Sequence, residues 1–259
     1  MTNDPALTDD AFLGGRLRIL QPAKGFRAGI DSVLLAAAVP AKAGEAVFEA
    51  GTGPGVAALC LLSRVPGVRV TGAEANPDYA ALARRNAERN ELAEVFEVIT
   101  GNALRAGKRD GPPGLSPGTF DHTFANPPYH AADAVQHSPH ADKARAHVLM
   151  EAPLPEWVRT LARMVRPKGT ITLIQPAAAL PELLCAMQAA KLGAIVIAPV
   201  WPRAGRPASR VLVRAVRGVK TPARLLPGLT LHEEGHAFTP DAEAILRHAA
   251  PFPELARIG

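Results

Sequence analysis

Cysteine and aromatic residues are scarce in this chain. It contains two cysteines, and Phe, Trp and Tyr together make up 5% of its 259 residues. Cys60 and Cys185 lie in apolar stretches with helical spacing, so we expect two buried free thiols in a reducing compartment. A fold held together by disulfide bonds is therefore not expected. With so few aromatic side chains, the core has to be built mainly from aliphatic ones.

Long apolar runs are also missing. No run approaches the length of a membrane-spanning helix, and residues 1–10 are polar and acidic, unlike a signal peptide. The histidines between His130 and His147 lack the His-x-x-x-His spacing and the nearby cysteines of common metal sites. We therefore expect a cytoplasmic protein with no membrane partner and no bound metal.

The length and charge of the chain fit one large α/β enzyme domain. Lysine and arginine outnumber aspartate and glutamate by 29 to 24, and the isoelectric point is near 9.6, which permits a polyanionic partner without demonstrating one. We predict a single domain over residues 1–259. It comprises an N-terminal strand and helix (1–44), a catalytic core (45–218) and a C-terminal extension (219–259).

The stretch after residue 125 gives the strongest indication of a site. Residues 120–125 predict a short buried strand, which the sequence Asn-Pro-Pro-Tyr at 126–129 ends. Two prolines remove two backbone donors and hold φ near −65°, so this segment forms a rigid elbow. The elbow leaves the Asn126 amide and the Pro127 carbonyl free to accept hydrogen bonds, and it places the Tyr129 ring beside them.

Two acceptors and a flat ring suit a planar group that carries an exocyclic NH2. The alternative is a strand end closed by a proline turn, which would be sufficient to explain the proline pair alone. The flanking Asn126 and Tyr129, together with a glycine loop upstream, favour a substrate site.

The glycine loop follows a predicted buried strand at residues 45–49 and precedes an apolar helix at 56–63. A strand, a glycine turn and a helix in this order bind nucleotides through backbone N–H groups and the helix N-terminus. The glycines Gly51, Gly53 and Gly55 are spaced G-x-G-x-G, which disfavours the dinucleotide site of a nicotinamide dehydrogenase. Glu49, directly before the loop, is placed to bind a cationic amino group.

Two further predicted strands lead to polar side chains. The strand at 68–74 ends in Glu74, about twenty residues after the loop, where a carboxylate that binds ribose hydroxyls is expected. A surface glutamate at a strand end is the alternative. The strand at 95–100 leads to Asn102, which would lie above the same pocket and meet an adenine amino group.

The first forty residues predict an edge strand at 16–20 and then a helix that stops at Pro40. Asp31 is a plausible N-cap of this helix. Capping alone is one interpretation, and the alternative is that the helix start also touches a cofactor. Two basic segments lie further on. Lys143 and Arg145 belong to a polar segment interpreted as a lid over a substrate, and Arg203 and Arg206 belong to a basic hairpin loop.

In combination, residues 49–55, Glu74 and residues 126–129 resemble the class I S-adenosylmethionine-dependent methyltransferases that act on amino groups. The similarity includes the order of these motifs along the chain. One departure is Asn102, because many class I enzymes carry aspartate at that position.

Three further segments resemble a narrower family, the bacterial enzymes that methylate adenine N6 in the anticodon loop of valine tRNA. These are residues 14–17 (Gly-Gly-Arg-Leu), 25–31 (Gly-Phe-Arg-Ala-Gly-Ile-Asp) and 231–234 (Leu-His-Glu-Glu). The resemblance to this family covers nearly the whole chain.

The resemblance implies a Rossmann-like α/β fold. Its sheet would have seven strands, mostly parallel, in the order 3-2-1-4-5-7-6, with helices on both faces. S-adenosylmethionine would be the cofactor. The residues implied around it are Glu49, Gly51, Gly53 and Gly55 at its methionine part, Glu74 at its ribose and Asn102 at its adenine. Arg27 and Asp31 would close over it from the N-terminal side, and Asn126 is also implied as a cofactor-binding residue.

The resemblance also implies N-methylation of RNA, with tRNA as the favoured substrate. Asn126 Oδ1 and the Pro127 carbonyl would accept the two amino hydrogens, and Tyr129 would stack on the base. Methylation of ribosomal guanine N2 or adenine N6, or of glutamine N5 in release factors, stays open, because the elbow does not distinguish an amide from a base. The intact acids disfavour a fold kept only for RNA binding. The sequence leaves monomer and homodimer open.

Overall fold

Alternating strands and helices form the centre of the molecule. The structure, a computed structural model, describes residues 6–25, 27–128 and 152–256. The strands of this part are β1 Leu7–Phe12, β2 Leu17–Pro22, β3 Ala46–Ala50, β4 Arg69–Glu74, β5 Phe96–Thr100, β6 Phe120–Ala125, β7 Val165–Pro176, β8 Leu192–Arg203, β9 Arg210–Arg217, β10 Arg224–Leu225 and β11 Leu229–His232. Its helices are α1 Ile30–Ala38, α2 Val56–Arg64, α3 Pro77–Arg89, α4 Leu154–Met164, α5 Leu180–Ala189, α6 Pro240–His248 and α7 Pro253–Ala256.

The main sheet has nine strands, in the order β10-β8-β9-β7-β6-β3-β4-β5, and β11 also pairs with β8. Only β9 runs antiparallel to its neighbours β7 and β8 among the described pairs of this sheet. The strands from β3 to β9 follow the predicted order 3-2-1-4-5-7-6, which confirms the fold class. The two additional strands are the short β10 and β11, both parallel to β8.

The parallel strands all end at one edge of the sheet, which we call the carboxyl edge. It collects the last residues of β3, β4, β6 and β7, and also of β8, which runs in the same direction. In open α/β sheets this edge is where ligands bind.

Apolar side chains cover both faces of the sheet. Val47 and Phe48 are neighbours on β3, yet they belong to different buried clusters. The Val47 cluster includes side chains of α1, α2, α3 and α6, whereas the Phe48 cluster includes those of α4 and α5. Because successive strand residues point to opposite faces, a central strand buried on both sides has to be apolar throughout.

The N-terminal segment differs from the predicted edge strand. β1 and β2 pair with each other in a separate antiparallel sheet, and they do not join the main sheet. The alternation at residues 16–20 predicts a strand correctly, but it does not reveal which partner that strand has. The predicted divisions after residues 44 and 218 stay predictions.

Two asparagines, Asn86 in α3 and Asn90 at its C-cap, serve as the second partner of β2. Asn86, fully buried, accepts a hydrogen bond from the Leu20 N–H at 2.8 Å and donates one to the Leu20 carbonyl at 3.0 Å. Asn90 makes the same pair of bonds with the backbone of Arg18, at 2.9 and 3.0 Å. A side-chain amide has the donor and the acceptor of a peptide unit. Two residues four positions apart at the C-terminal end of α3 therefore replace a neighbouring strand.

The prediction of two buried thiols is wrong for Cys185. Cys60 is buried in α2, but Cys185 is exposed on α5, and both are free thiols. α5 packs on the sheet through Leu183, Ala186 and Met187, so Cys185 lies on the opposite side of that helix. Within the described ranges, no helix has the length and apolarity needed to cross a membrane.

Candidate functional site

Three of the predicted site residues meet at the carboxyl edge. Glu49 lies near the end of β3, Glu74 ends β4, and Asn126 directly follows β6. β3 pairs with both of the other strands, with Glu49 opposite Gly72 on one side and Phe124 on the other. Side chains that are far apart in sequence are therefore neighbours in the fold.

The glycine loop packs tightly between strand and helix side chains. Gly51, Gly53 and Gly55 have φ values of +73°, +55° and +87°, in the left-handed region that favours glycine. A Cβ atom on Gly55 would lie 2.9 Å from Phe96 Cε1, and one on Gly51 would lie 3.0 Å from Trp157 Cη2. Both the backbone conformation and the available space therefore require glycine here.

Glu74 holds the glycine loop in place. It is 8% exposed, its Oε2 accepts the Gly53 N–H at 2.8 Å, and its Oε1 accepts the Asn76 N–H at 2.8 Å. Burial raises the pKa of the Glu74 carboxyl, and these backbone donors oppose that rise. A carboxylate has further lone pairs, so it can accept ligand hydroxyls while it keeps both backbone bonds. The sequence did not predict that Glu74 also holds the glycine loop through the Gly53 N–H.

Glu49 is more deeply buried and lacks a charged partner among the described ion pairs. Its Oε2 accepts a hydrogen bond from Thr52 Oγ1 at 2.5 Å. Burial raises the pKa of the Glu49 carboxyl to about 8, and the nearby Glu74 adds to the rise. A cationic group bound beside Glu49 would stabilise the charged carboxylate and lower that pKa.

The elbow has one feature that the sequence did not predict. Asn126 is half-buried and Pro127 is buried. The Pro127 carbonyl is not wholly free, because Gln175 at the end of β7 donates its Nε2–H to this oxygen at 3.2 Å. A polar residue at the carboxyl end of the strand beside the elbow was the available signal. Tyr129 lies outside the described residues, as do Lys143 and Arg145.

Two cavities flank this region. One, of about 260 Å³, lies against Pro127, Pro128 and Gln175. The other, of about 390 Å³, is lined by Asn102, Glu156 and neighbouring residues. Asn102 Oδ1 accepts the Leu104 N–H at 2.9 Å. Its predicted contact with adenine stays a prediction.

Arg27 and Asp31 are both engaged within the protein. Arg27 forms an ion pair with Asp10 at 2.7 Å, and Asp31 forms one with Arg210 at 2.9 Å. Gly29, not Asp31, is the N-cap of α1, and Asp31 lies in the first turn. The predicted capping role of Asp31 is therefore wrong. The first turn of α1 is nevertheless anchored at the carboxyl edge, since Asp31 pairs with Arg210, which begins β9 beside the end of β7.

The basic loop between β8 and β9 also lies at the carboxyl edge. Arg203 ends β8 and donates to the Gly235 carbonyl at 2.6 Å, and Arg206 is exposed in the loop. Both residues are thus at the same edge of the sheet as Glu49 and Glu74. No three His, Cys, Asp or Glu side chains come together as a possible metal site in the described ranges.

These features favour a ligand that is cationic at one end and carries hydroxyl groups. Two buried carboxylates flank a loop of left-handed glycines at the N-terminus of α2. The acceptors of the elbow lie at the end of the next strand, β6. This arrangement can place a group with an NH2 beside a bound nucleoside derivative.

Comparison with known sequences finds related enzymes. A family model described as the methyltransferase small domain matches residues 27–144. A tRNA1(Val) (adenine(37)-N6)-methyltransferase of Aeromonas hydrophila is 29% identical over 194 residues, covering 74% of this chain and 78% of the relative. One of Porphyromonas gingivalis is 30% identical over 178 residues, covering 67% and 68%. A release factor glutamine methyltransferase of Chlorobaculum tepidum is 37% identical over 83 residues, covering 32% and 27%.

Solved structures with the same fold include two methyltransferases. One, described as a predicted O-methyltransferase from Agrobacterium tumefaciens, has a TM-score of 0.68 and 26% identity, covering 83% of this chain and 94% of that one. A methyltransferase from Pyrococcus furiosus has a TM-score of 0.54 and 19% identity, covering 78% and 90%, and shows similarity of fold alone.

Proposed function

The chain belongs to the family of the tRNA1(Val) (adenine(37)-N6)-methyltransferases, and from this premise we propose that it methylates N6 of an unpaired adenine in tRNA. The protein is an S-adenosylmethionine-dependent N-methyltransferase. The substrate, the roles of individual residues and a cytoplasmic location are the parts that we propose.

The side chains at the carboxyl edge fit this cofactor. Glu49, buried beside the glycine loop with a raised pKa, would bind the amino group of its methionine part. Glu74 would accept its ribose hydroxyls with the lone pairs that Gly53 and Asn76 leave free. The N–H groups at the start of α2 suit its carboxylate. When bound, S-adenosylmethionine supplies the electrophilic methyl group.

The observation that carries the proposal is the elbow beside this site. Asn126 Oδ1 and the Pro127 carbonyl are the acceptors proposed for the two hydrogens of the target amino group. An aromatic amino nitrogen is a poor nucleophile because its lone pair is delocalised into the ring. When both hydrogens are held by acceptors, the nitrogen moves towards tetrahedral geometry and its lone pair becomes available. Positioning of this kind requires no strong base, because the proton leaves only after the methyl group has arrived.

An RNA substrate is favoured by the charge at the carboxyl edge. Arg203 and Arg206 are exposed at the same edge of the sheet as the elbow, and the chain carries a net charge of +5. Guanidinium groups at such a rim bind phosphates. A base inside a duplex cannot reach a pocket at a sheet edge, so a loop or a flipped nucleotide is expected.

Glutamine N5 methylation is the second candidate. A glutamine side chain also ends in a planar NH2 group, and the elbow can accept its hydrogens equally well. The match to the release factor enzyme covers only 32% of this chain, whereas the tRNA enzymes match over two thirds or more.

The experiment combines two substrates with one variant. The purified chain and isotopically labelled S-adenosylmethionine are incubated with unmodified valine tRNA or with a release factor, and the products are analysed by mass spectrometry. We expect N6-methyladenosine in the tRNA. Label in a release factor glutamine would contradict the tRNA proposal.

The variant Asn126→Ala tests the elbow. We expect turnover to fall at least about a hundredfold, the scale of losing one preorganised polar contact, with nearly unchanged affinity for S-adenosylmethionine. Near wild-type turnover would mean that the elbow is only a proline turn. Tyr129→Phe keeps the ring proposed to stack on the base, so its turnover should stay close to that of the wild type.

A further inference from the structure

The Pro127 carbonyl receives a hydrogen bond from a side chain that makes none of the contacts proposed for the cofactor or the substrate. Gln175 is 4% exposed and lies one residue before the end of β7. Its Nε2 donates to the Pro127 oxygen at 3.2 Å. Burying a glutamine side chain is unfavourable unless its polar atoms are hydrogen-bonded, so this position calls for an explanation.

The register of β6 and β7 explains why a side chain is needed here. The parallel ladder between these strands ends at Ala125, opposite Leu173. Continuing the same register by two residues places Pro127 opposite Gln175. Neither Pro127 nor Pro128 has a backbone N–H, so the elbow can form hydrogen bonds with β7 only through its carbonyl oxygens, which need donors. The Gln175 side chain supplies a hydrogen bond at the point where the ladder stops.

This hydrogen bond also determines which lone pair of the Pro127 carbonyl oxygen is available to a ligand. A carbonyl oxygen has two lone pairs in the plane of its peptide unit. Gln175 Nε2 occupies one of them and leaves the other. Because Gln175 and Pro127 line the same cavity of about 260 Å³, the donor is placed to hold the peptide plane at the cavity wall.

We propose that Gln175 is a positioning residue of the methyl transfer, which fixes the Pro127 peptide plane so that the remaining lone pair of its carbonyl accepts a hydrogen of the target amino group. The inference rests on the proposed function of the elbow. Gln175 does not itself need to touch the substrate. The two prolines already restrict this peptide, and without the Gln175 donor the carbonyl can still turn by the limited change in ψ that Pro127 allows.

Gln175→Leu tests the positioning role because it removes the donor with little change in size. We expect kcat to fall about tenfold or more, while affinity for S-adenosylmethionine stays within about twofold. The matched control is Thr172→Val on the same strand. Thr172 is fully buried, and its hydroxyl has no hydrogen-bond partner among the described residues. This control should keep the wild-type kcat.

Gln175→Glu adds a readout that a purely structural role would not change. A protonated carboxyl can donate to the Pro127 carbonyl, whereas a carboxylate cannot and would repel it. The kcat of Gln175→Glu should therefore fall as pH rises through the pKa of the new side chain, with no matching step in the wild type. This pH profile still decides the matter if Gln175→Leu folds poorly.

The outcomes separate this inference from the proposed function. If the wild type methylates tRNA and Asn126→Ala is inactive, but Gln175→Leu keeps its kcat and Gln175→Glu shows no additional pH step, the positioning role is wrong. If the wild type methylates a protein glutamine instead, the tRNA proposal is wrong. The same comparison of Gln175 variants then applies on that substrate, since its amide hydrogens would meet the same carbonyl.

Discussion

Glu49 and Glu74 are both buried acids, yet the protein holds them differently. Glu74 accepts two backbone N–H groups, whereas Glu49 accepts a hydrogen bond from the Thr52 hydroxyl. The pKa of Glu49 is raised to about 8 by burial. Near neutral pH its carboxyl is therefore mainly protonated in the free protein, and it has to lose that proton to bind a cation as a carboxylate.

Cofactor binding should therefore release a proton from Glu49. A cationic amino group favours the charged carboxylate, so the pKa of Glu49 falls in the complex. We expect the affinity for S-adenosylmethionine to rise with pH up to about 8. The limiting slope is about tenfold per pH unit for one proton released. Calorimetry at pH 6.5 in buffers of different ionisation enthalpy measures the proton directly.

The matched variant for this prediction is Glu49→Gln, which cannot ionise. It should bind the cofactor more weakly at pH 8 and should release no proton.

The raised pKa of Glu49 also affects stability. Between about pH 4.5, the ordinary pKa of a glutamate, and about pH 8, the folded free protein binds more protons than the unfolded chain. Its stability should therefore fall as pH rises through this window, and less so in Glu49→Gln. Equal proton release by both proteins would assign the proton to another group.

At the scale of elements, the glycine loop depends on packing as well as on backbone conformation. Gly55→Ala should destabilise the protein by about 1–3 kcal/mol more than Gly44→Ala. Both glycines have φ of +87°, so both variants carry the strain of a left-handed φ. A Cβ atom on Gly55 would lie 2.9 Å from Phe96 Cε1 and 3.3 Å from Ala83 Cβ, whereas a Cβ atom on Gly44 would meet open space. Chemical denaturation of both variants measures the difference, and equal losses would show that packing around the loop is unimportant.

The asparagine pair at the C-terminal end of α3 gives a second prediction at this scale. Asn86→Ala would leave the buried backbone groups of Leu20 and the Pro54 carbonyl without their hydrogen bonds. We expect a loss of about 2 kcal/mol or more. Asn90→Ala is the control, because Asn90 makes the same bonds with Arg18 at a half-buried position.

Water can replace the lost bonds at Asn90, so its variant should lose about 1 kcal/mol or less. Urea unfolding of both variants provides the comparison. Asn86 also contacts the glycine loop through the Pro54 carbonyl at 2.9 Å, so Asn86→Ala should also weaken cofactor binding, and Asn90→Ala should not. If the two variants lose the same stability, the asparagines are not acting as a strand partner in the buried part of β2.

At the scale of the whole molecule, the distribution of positive charge should be visible in the salt dependence of RNA binding. Each phosphate neutralised adds to the slope of log affinity against log salt. The double variant Arg203→Ala, Arg206→Ala should reduce that slope by about one for each arginine that contacts a phosphate.

The control is the double variant Lys42→Ala, Arg69→Ala. It removes two exposed cations near the amino ends of the strands, at the opposite edge of the sheet. This control should keep the slope. A slope near zero for the wild type would contradict an RNA substrate.

Much of the architecture could be predicted from periodicity and turn residues. The strands at 46–50, 69–74, 96–100 and 120–125 were anticipated within one residue at either end. Apolar runs that end in glycine, proline or an acid are local signals, and a buried parallel strand needs no information about its partner to be apolar. The edge strand at 16–20 shows the limit of this reasoning, since its pairing with β1 and with Asn86 depends on residues outside its own window.

The sequence by itself determined the chemistry available at the site: the glycine spacing, the acids at two strand ends and the proline elbow are all contiguous patterns. Only the tertiary structure decided how these groups are held. The Gln175 bond to Pro127, the Glu74 bond to Gly53 and the Asn86 bonds to Leu20 each join residues at least 21 positions apart. The physical reason is that a hydrogen bond depends on distance and direction in space, and packing of the sheet and its helices brings these atoms together.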